Sequence, residues 1–144
     1  MAGPRAIVLL RHAEPQSSGN DPALTAEGTK RARLLASMLR DAGVMAIFTS
    51  ELRRTQKTAQ PLADLVRVAP EVLVGLDSTA HRDRVLAVRR GVAVVIGHTN
   101  TVPPLIAALG VRTPVTISPL EFDRLFLVTR NSGGATLLSL RYGG

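Results

Sequence analysis

The sequence predicts an α/β protein: a three-layer sandwich with a mainly parallel central sheet, helices on both faces and a C-terminal hairpin. Three observations carry that expectation. The apolar runs Ile7-Val8-Leu9-Leu10, Met45-Ala46-Ile47-Phe48 and Val92-Ala93-Val94-Val95-Ile96 have the length and unbroken hydrophobicity of strands buried on both faces. Segments with apolar residues at helical spacing lie between them, and strands alternating with helices build parallel units. Two further apolar runs, Arg124–Thr129 and Ala135–Leu140, flank Arg130-Asn131-Ser132-Gly133-Gly134, which reads as a hairpin turn.

The 144 residues form one domain, 1–144, long enough to bury a sizeable core. Aromatic residues make up 3% of the chain, so Leu, Val, Ala and Ile must build that core. Without cysteine there is no disulfide, thiolate nucleophile or Cys-ligated zinc. The first apolar run is short and quickly followed by charge, which predicts neither a signal peptide nor a membrane span and makes a cytoplasmic location the expectation. A formal net charge of +7, mostly arginine, favours anionic partners without choosing among them. The arginines are dispersed and lack interleaved aromatics, which argues against nucleic acid.

Taken in order, the first strand is followed by a Gly/Ser/Asn/Pro loop from Pro15 to Pro22. Thr25 is placed to cap a helix running to about Ala42, with Gly43 as its stop; Ala32, Leu35, Met38, Leu39 and Ala42 share one face. Its basic residues, Arg31 included, read as a solvated face. After the second strand, Ser50 is expected to cap a helix towards Val66 that Pro61 should kink or shorten. Val68 to Gly75 reads as a strand or extended connection, and Ser78 or Thr79 as the cap of a helix over about Ala80 to Arg90 that Gly91 ends. The run Val92–Ile96 is the strongest strand and so the central one. Thr101 is expected to cap a helix to about Leu109, whose prolines fall in the first turn, where they are tolerated. Pro114 to Pro119 is a connection.

Three buried strands thus end in Arg11-His12, in Ser50 through Arg54, and in His98 with Asn100. If they run parallel, these ends share the sheet edge where α/β proteins bind ligands. Any one of them alone is as well explained by a solvated strand end or a packed histidine. Together, two imidazoles, at least two guanidiniums and two helix N-termini complement a phosphoryl group. A neutral imidazole nitrogen can attack phosphorus, and cationic donors can stabilise the charge on the transferring oxygens. The paired arginines in a first helical turn have the wrong sign for that helix end, which suggests an anion held there. A metal site is disfavoured, since two histidines fall short of the usual ligand count and their neighbours are arginines.

The segments Arg11-His12-Ala13-Glu14, Leu24-Thr25-Ala26-Glu27-Gly28, Thr49-Ser50-Glu51-Leu52-Arg53-Arg54-Thr55-Gln56-Lys57-Thr58-Ala59 and Gly97-His98-Thr99-Asn100-Thr101 resemble, in order, the histidine phosphatase superfamily, the phosphoglycerate-mutase-like proteins. Within it, the chain resembles the small single-domain bacterial type, the phosphohistidine phosphatases. The resemblance implies that His12 is a nucleophile carrying the phosphoryl group, that Arg11, Arg54 and His98 complete its pocket, and that no metal or organic cofactor is needed. Arg54 takes the role rather than Arg53 because it immediately precedes Thr55. Asn100 and the Thr101 amide are expected to add donors, Ser50 to border the substrate, and Glu14 to lie at the rim or to orient an arginine. Ala13 stands where the family usually has glycine. The proton donor many relatives place between the second arginine and second histidine has no recognisable motif here. Asp77 is the choice over Glu71 and Asp83, with a solvated or helix-capping role as its alternative, and His81 reads as a surface residue. Without an acid, substrates with good leaving groups, phosphohistidine or acyl phosphate, are favoured. The expected activity is a phosphatase acting on a phosphorylated small molecule or a phosphoprotein, with a mutase disfavoured by chain length. The alternatives are a catalytically silent phosphate-binding module and a basic nucleic-acid binder.

Overall fold

The structure, a computed structural model, describes residues 3–143. Six strands form one sheet: β1 (Ala6–Arg11), β2 (Val44–Thr49), β3 (Glu71–Val72), β4 (Val92–Gly97), β5 (Arg124–Asn131) and β6 (Gly134–Arg141), in the order β3-β2-β4-β1-β5-β6. The first four run parallel, and β5 and β6 add an antiparallel hairpin beside β1. The expected sandwich is therefore the one observed.

Alternation along the strands sends side chains to both faces, and each face has its own core. On one, Val8, Leu10, Ile47, Val94 and Ile96 pack against α1 (Ala26–Leu39) and α2 (Arg53–Val66) through Leu35, Leu39, Ala59 and Leu62. On the other, Ile7, Leu9, Phe48, Val95 and Phe126 meet α3 (Ser78–Leu86) and α4 (Val102–Ala108) through Val85, Leu105 and Ile106. Every residue of β4 is buried, as its unbroken apolar run predicts for a central strand. Among the described residues, no helix is long and apolar enough to cross a membrane.

Several local expectations are corrected. Pro61 lies inside α2, which nevertheless runs on to Val66. Interior proline costs about 3 kcal/mol, and the buried Leu62 and Ala63 hold the turns around it against the sheet. Ser50 does not cap α2, whose N-cap is Leu52 with no side-chain bond. Thr101 precedes α4 but makes no cap bond to it; its Oγ1 accepts from the His98 amide instead. Helix α3 starts earlier than expected because Asp77, not Ser78 or Thr79, accepts from its first amides, and it ends sooner, at Leu86. Strand β3 keeps two residues of the longer apolar stretch. Thr25 does cap α1, accepting from Gly28 N at 3.0 Å.

The loop after β1 leaves and returns through a clasp. Pro15 bridges Leu24, and Gln16 N donates to Ala23 O. Gly28, buried in the first turn of α1, sits against the Glu14 backbone so closely that a Cβ would overlap the Glu14 carbonyl oxygen. Helix α1 thus docks on the segment that follows His12 only because this residue has no side chain. Gly28→Ala is expected to lower stability by about 1–3 kcal/mol through overpacking, read as a drop in thermal midpoint.

Candidate active site

The parallel register of β1 and β4 sets Arg11 opposite Gly97, and His12 N extends the ladder by donating to Gly97 O at 2.9 Å. The next residue on each strand is a histidine, and their ring centroids stand 5.3 Å apart, edge to face. His12 is buried and His98 partly so.

His12 Nδ1 lies 2.8 Å from Ala13 O. A carbonyl only accepts, so Nδ1 carries the hydrogen and, in the neutral ring, Nε2 keeps its lone pair. The Ala13 amide donates to Thr58 Oγ1, which donates to Arg54 O, so the peptide after His12 is pinned to the helix that carries Arg54. Alanine serves at position 13 because no left-handed conformation is needed there; among the described residues, Arg67 is the non-glycine with positive φ.

Around His98, Ser50 Oγ lies 2.8 Å from Nε2 and 2.9 Å from Thr55 Oγ1. Thr55 is fully buried, and its hydroxyl is 2.8 Å from Leu52 O, a pure acceptor. With the Thr55 proton on that carbonyl, the Ser50 proton goes to Thr55 and Ser50 accepts from His98 Nε2–H. Nδ1 is then the ring nitrogen left for another partner, a donor when the ring is charged.

Arg11 donates through one terminal nitrogen to Pro119 O (2.8 Å) and Glu121 O (2.9 Å), and its Cζ lies 4.0 Å from the centroid of Phe122. Its Nε is buried without a protein partner, and its second terminal nitrogen makes no bond to the protein either. Arg54, in the first turn of α2, acts electrostatically on Arg11, His12 and His98 alike. Burial pushes His12 down to about 4, against the bond to Ala13 O, with Arg11, His98 and Arg54 acting in the same direction as burial. Burial, then Arg54 and Arg11, lowers His98, and Glu51 opposes them. Arg11 is lowered by burial first and Arg54 second, with Glu14 opposing. Four groups that favour an anion thus converge with little counter-charge among them.

The other expected residues fall as follows. Asn100 is exposed in the turn before α4. The Thr101 amide, expected as a ligand donor, already donates to His98 O. Ser50 orients His98 rather than α2. Glu14 makes a bidentate pair with Arg31 (2.9 and 3.0 Å), the arginine-orienting alternative. Arg31 itself is no solvated residue: its side chain is 9% exposed and also bonds Tyr142 O. Asp77 is exposed and holds the Thr79 and Ala80 amides, the capping alternative. Glu71 pairs with Arg84, Asp83 with Arg82, and His81 Nε2 meets Val74 O. Among the described residues, no group of three metal-ligating side chains comes together. Sequence reasoning missed Thr55, Thr58, Glu51 and Phe122. Thr55 and Thr58 stand one turn apart on the buried face of α2, and that polar interruption was the available signal.

Two histidines and two arginines gather at the carboxyl edge of a parallel sheet, a set of groups complementary to a phosphoryl group. The model of the histidine phosphatase superfamily (branch 1) matches residues 7–82, and the chain belongs to that family. It is 51% identical over 57 residues to a PE-PGRS family protein of Mycobacterium tuberculosis, covering 39% of this chain and 10% of that one. A probable phosphoglycerate mutase, GpmB of Yersinia enterocolitica, is 42% identical over 65 residues, 40% of this chain and 30% of the relative. The matches therefore span well under half of those relatives. Among solved structures, the protein histidine phosphatase SixA in complex with tungstate superposes with a TM-score of 0.73 at 22% identity, covering 94% of this chain and 96% of that one.

The depressed His12 has a consequence for stability. Folded, it takes up a proton near pH 4, whereas the unfolded chain does so near 6.5, so this contribution is complete above 6.5 and is lost as pH falls towards 4. Denaturant unfolding of the wild type at pH 7 and pH 5 is expected to show a loss larger than that of His12→Gln by about 2 kcal/mol.

Proposed function

We propose that the protein is a phosphatase that works in two steps through a phosphoryl group carried on His12. The observation that carries this reading is the neutral imidazole with Nδ1–H committed to Ala13 O, leaving Nε2 as a nucleophile among cationic donors. In the first step the Nε2 lone pair attacks phosphorus, the bond to the leaving group breaks, and the leaving group departs with that electron pair. The Arg11 guanidinium, Arg54 and His98 hold the equatorial oxygens. In the second step water attacks phosphorus, the P–N bond returns its electrons to Nε2, and inorganic phosphate is released. A phosphate dianion favours the charged form of His98, so binding of substrate itself supplies the Nδ1 donor. Neither step calls on a metal or an organic cofactor.

The leaving group decides the substrate class. Glu71, Asp77 and Asp83 are each engaged in bonds to their own neighbourhood, which supports a substrate that departs with little protonation, phosphohistidine or an acyl phosphate. Hydrolysis of an alkyl phosphomonoester would recruit Asp77 as acid at the expense of its cap on α3. A phosphoprotein and a phosphorylated small molecule both fit this chemistry. The similarity to SixA, named as a protein histidine phosphatase, favours the former.

Purified protein is to be offered p-nitrophenyl phosphate with a chelator present, beside His12→Ala. Hydrolysis should survive chelation and fall by about a thousandfold or more in the variant. Phosphate binding without turnover would establish the silent binding module instead. Asp77→Asn separates the leaving-group classes: as an acid it is worth about a hundredfold or more on an alkyl phosphate, whereas a capping role leaves the rates on alkyl and p-nitrophenyl phosphates changed alike.

A further inference from the structure

The connection between α4 and β5 closes over the end of β1, and its order comes from a network no part of the proposed chemistry uses. Glu121 accepts from the Ser118 amide, Arg124 and Arg141, and Asp123 accepts from Arg141 and, through its carbonyl, from Tyr142 N. The backbone so fixed turns the Pro119 and Glu121 carbonyls onto Arg11 and lays the Phe122 ring beside it. The same ring stands 6.0 Å from His12, tilted by 55°. Leu120, between the two carbonyls, is 88% exposed and takes no part.

We infer that Phe122 is a positioning residue of the phosphate pocket: its face fixes the Arg11 guanidinium while the two carbonyls hold one terminal nitrogen, and its bulk keeps water from the His12 ring. The inference rests on the pocket's taking phosphate, as proposed above. A guanidinium is planar, and two constraints, a fork tip bonded to carbonyls and a flat face against an aromatic ring, leave it one orientation. In that orientation Nε and the second terminal nitrogen are the donors left over. The charged groups acting on His12 are Arg11 from β1, Arg54 from α2 and His98 after β4, all of which disfavour its protonation. Removing Phe122 adds no charge to that set, so any change in His12 titration reports lost shielding or a displaced Arg11.

The test measures the dissociation constant of inorganic phosphate and, by NMR in phosphate-free buffer, the titration of the His12 ring, neither of which requires turnover. Phe122→Ala is expected to weaken phosphate binding by about tenfold and to move the His12 midpoint up from about 4 towards 6.5. Phe122→Tyr should restore both, and Leu120→Ala should match the wild type in both. Should Phe122→Ala fail to fold, Phe122→Leu keeps the shield and loses the aromatic face, so it should lose phosphate affinity while His12 still titrates low. The inference is overturned if folded Phe122→Ala binds phosphate within about twofold of wild type with His12 unmoved, or if Leu120→Ala reproduces its losses. Wild-type protein that binds no phosphate would sink the functional reading and with it the Arg11 half, while the His12 titration still decides the shielding.

Discussion

The pairing of β1 with β4 is the constraint from which the site follows. Because the two strands run parallel with Arg11 opposite Gly97, they stop level with one another, and the residues immediately beyond them are His12 and His98. A slip of one residue would turn every side chain of β1 to the opposite face, exchanging Val8 and Leu10 with Ile7 and Leu9 between two differently shaped cores. The large apolar surfaces on both sides of the sheet therefore hold two polar side chains in register, although neither imidazole belongs to either core. The site is accurate because misplacing it means unpacking the protein.

What the cores hold together, charge pushes apart. Arg11, Arg54 and two imidazoles share one sheet edge, and the carboxylates nearby are committed elsewhere or act weakly from outside: Glu14 is taken by Arg31, and Glu51 lies exposed in the β2–α2 turn. The protein keeps both histidines neutral under this crowding by burial and by neighbouring cations. An anion entering such a site relieves repulsion already present, so part of its binding free energy is set when the chain folds. Neutrality also suits the proposed chemistry, since only an unprotonated ring has a lone pair to offer.

Much of the architecture and the four central residues were legible in the chain, because both depend on strong, local signals: unbroken apolar runs for strands and polar residues at their ends. What stayed hidden depends on contacts between distant segments. Arg31 lies on a helix whose other basic residues do face water, and nothing in the helical period announces Glu14 and Tyr142 as its partners. Asp77 had two readings, acid or cap, and the cap is what its carboxylate does here, since the adjacent amides of α3 need an acceptor. Ser50 was read as a cap from its place before a helix, yet a histidine 48 residues away claims its hydroxyl. Pro61 was overestimated because an intrinsic helix preference was weighed without the packing that opposes it. Phe122 sits in a connection that no periodicity describes.

The clasp at the base of the loop after β1 has a consequence for how such a domain can diversify. Pro15–Leu24 and Gln16–Ala23 close the excursion before it reaches solvent, while Glu14, Thr25 and Gly28 on the near side anchor the segment that follows His12 to α1. Closing a longer excursion costs only logarithmically more entropy. Residues 17–20 can therefore be lengthened, shortened or rewritten with little strain on the two histidines. At the end of that stretch, Asp21 accepts from the Arg53 amide, next to Arg54. In the phosphatase proposed above, selectivity can accordingly evolve at this doorway as a trait separable from the chemistry behind it.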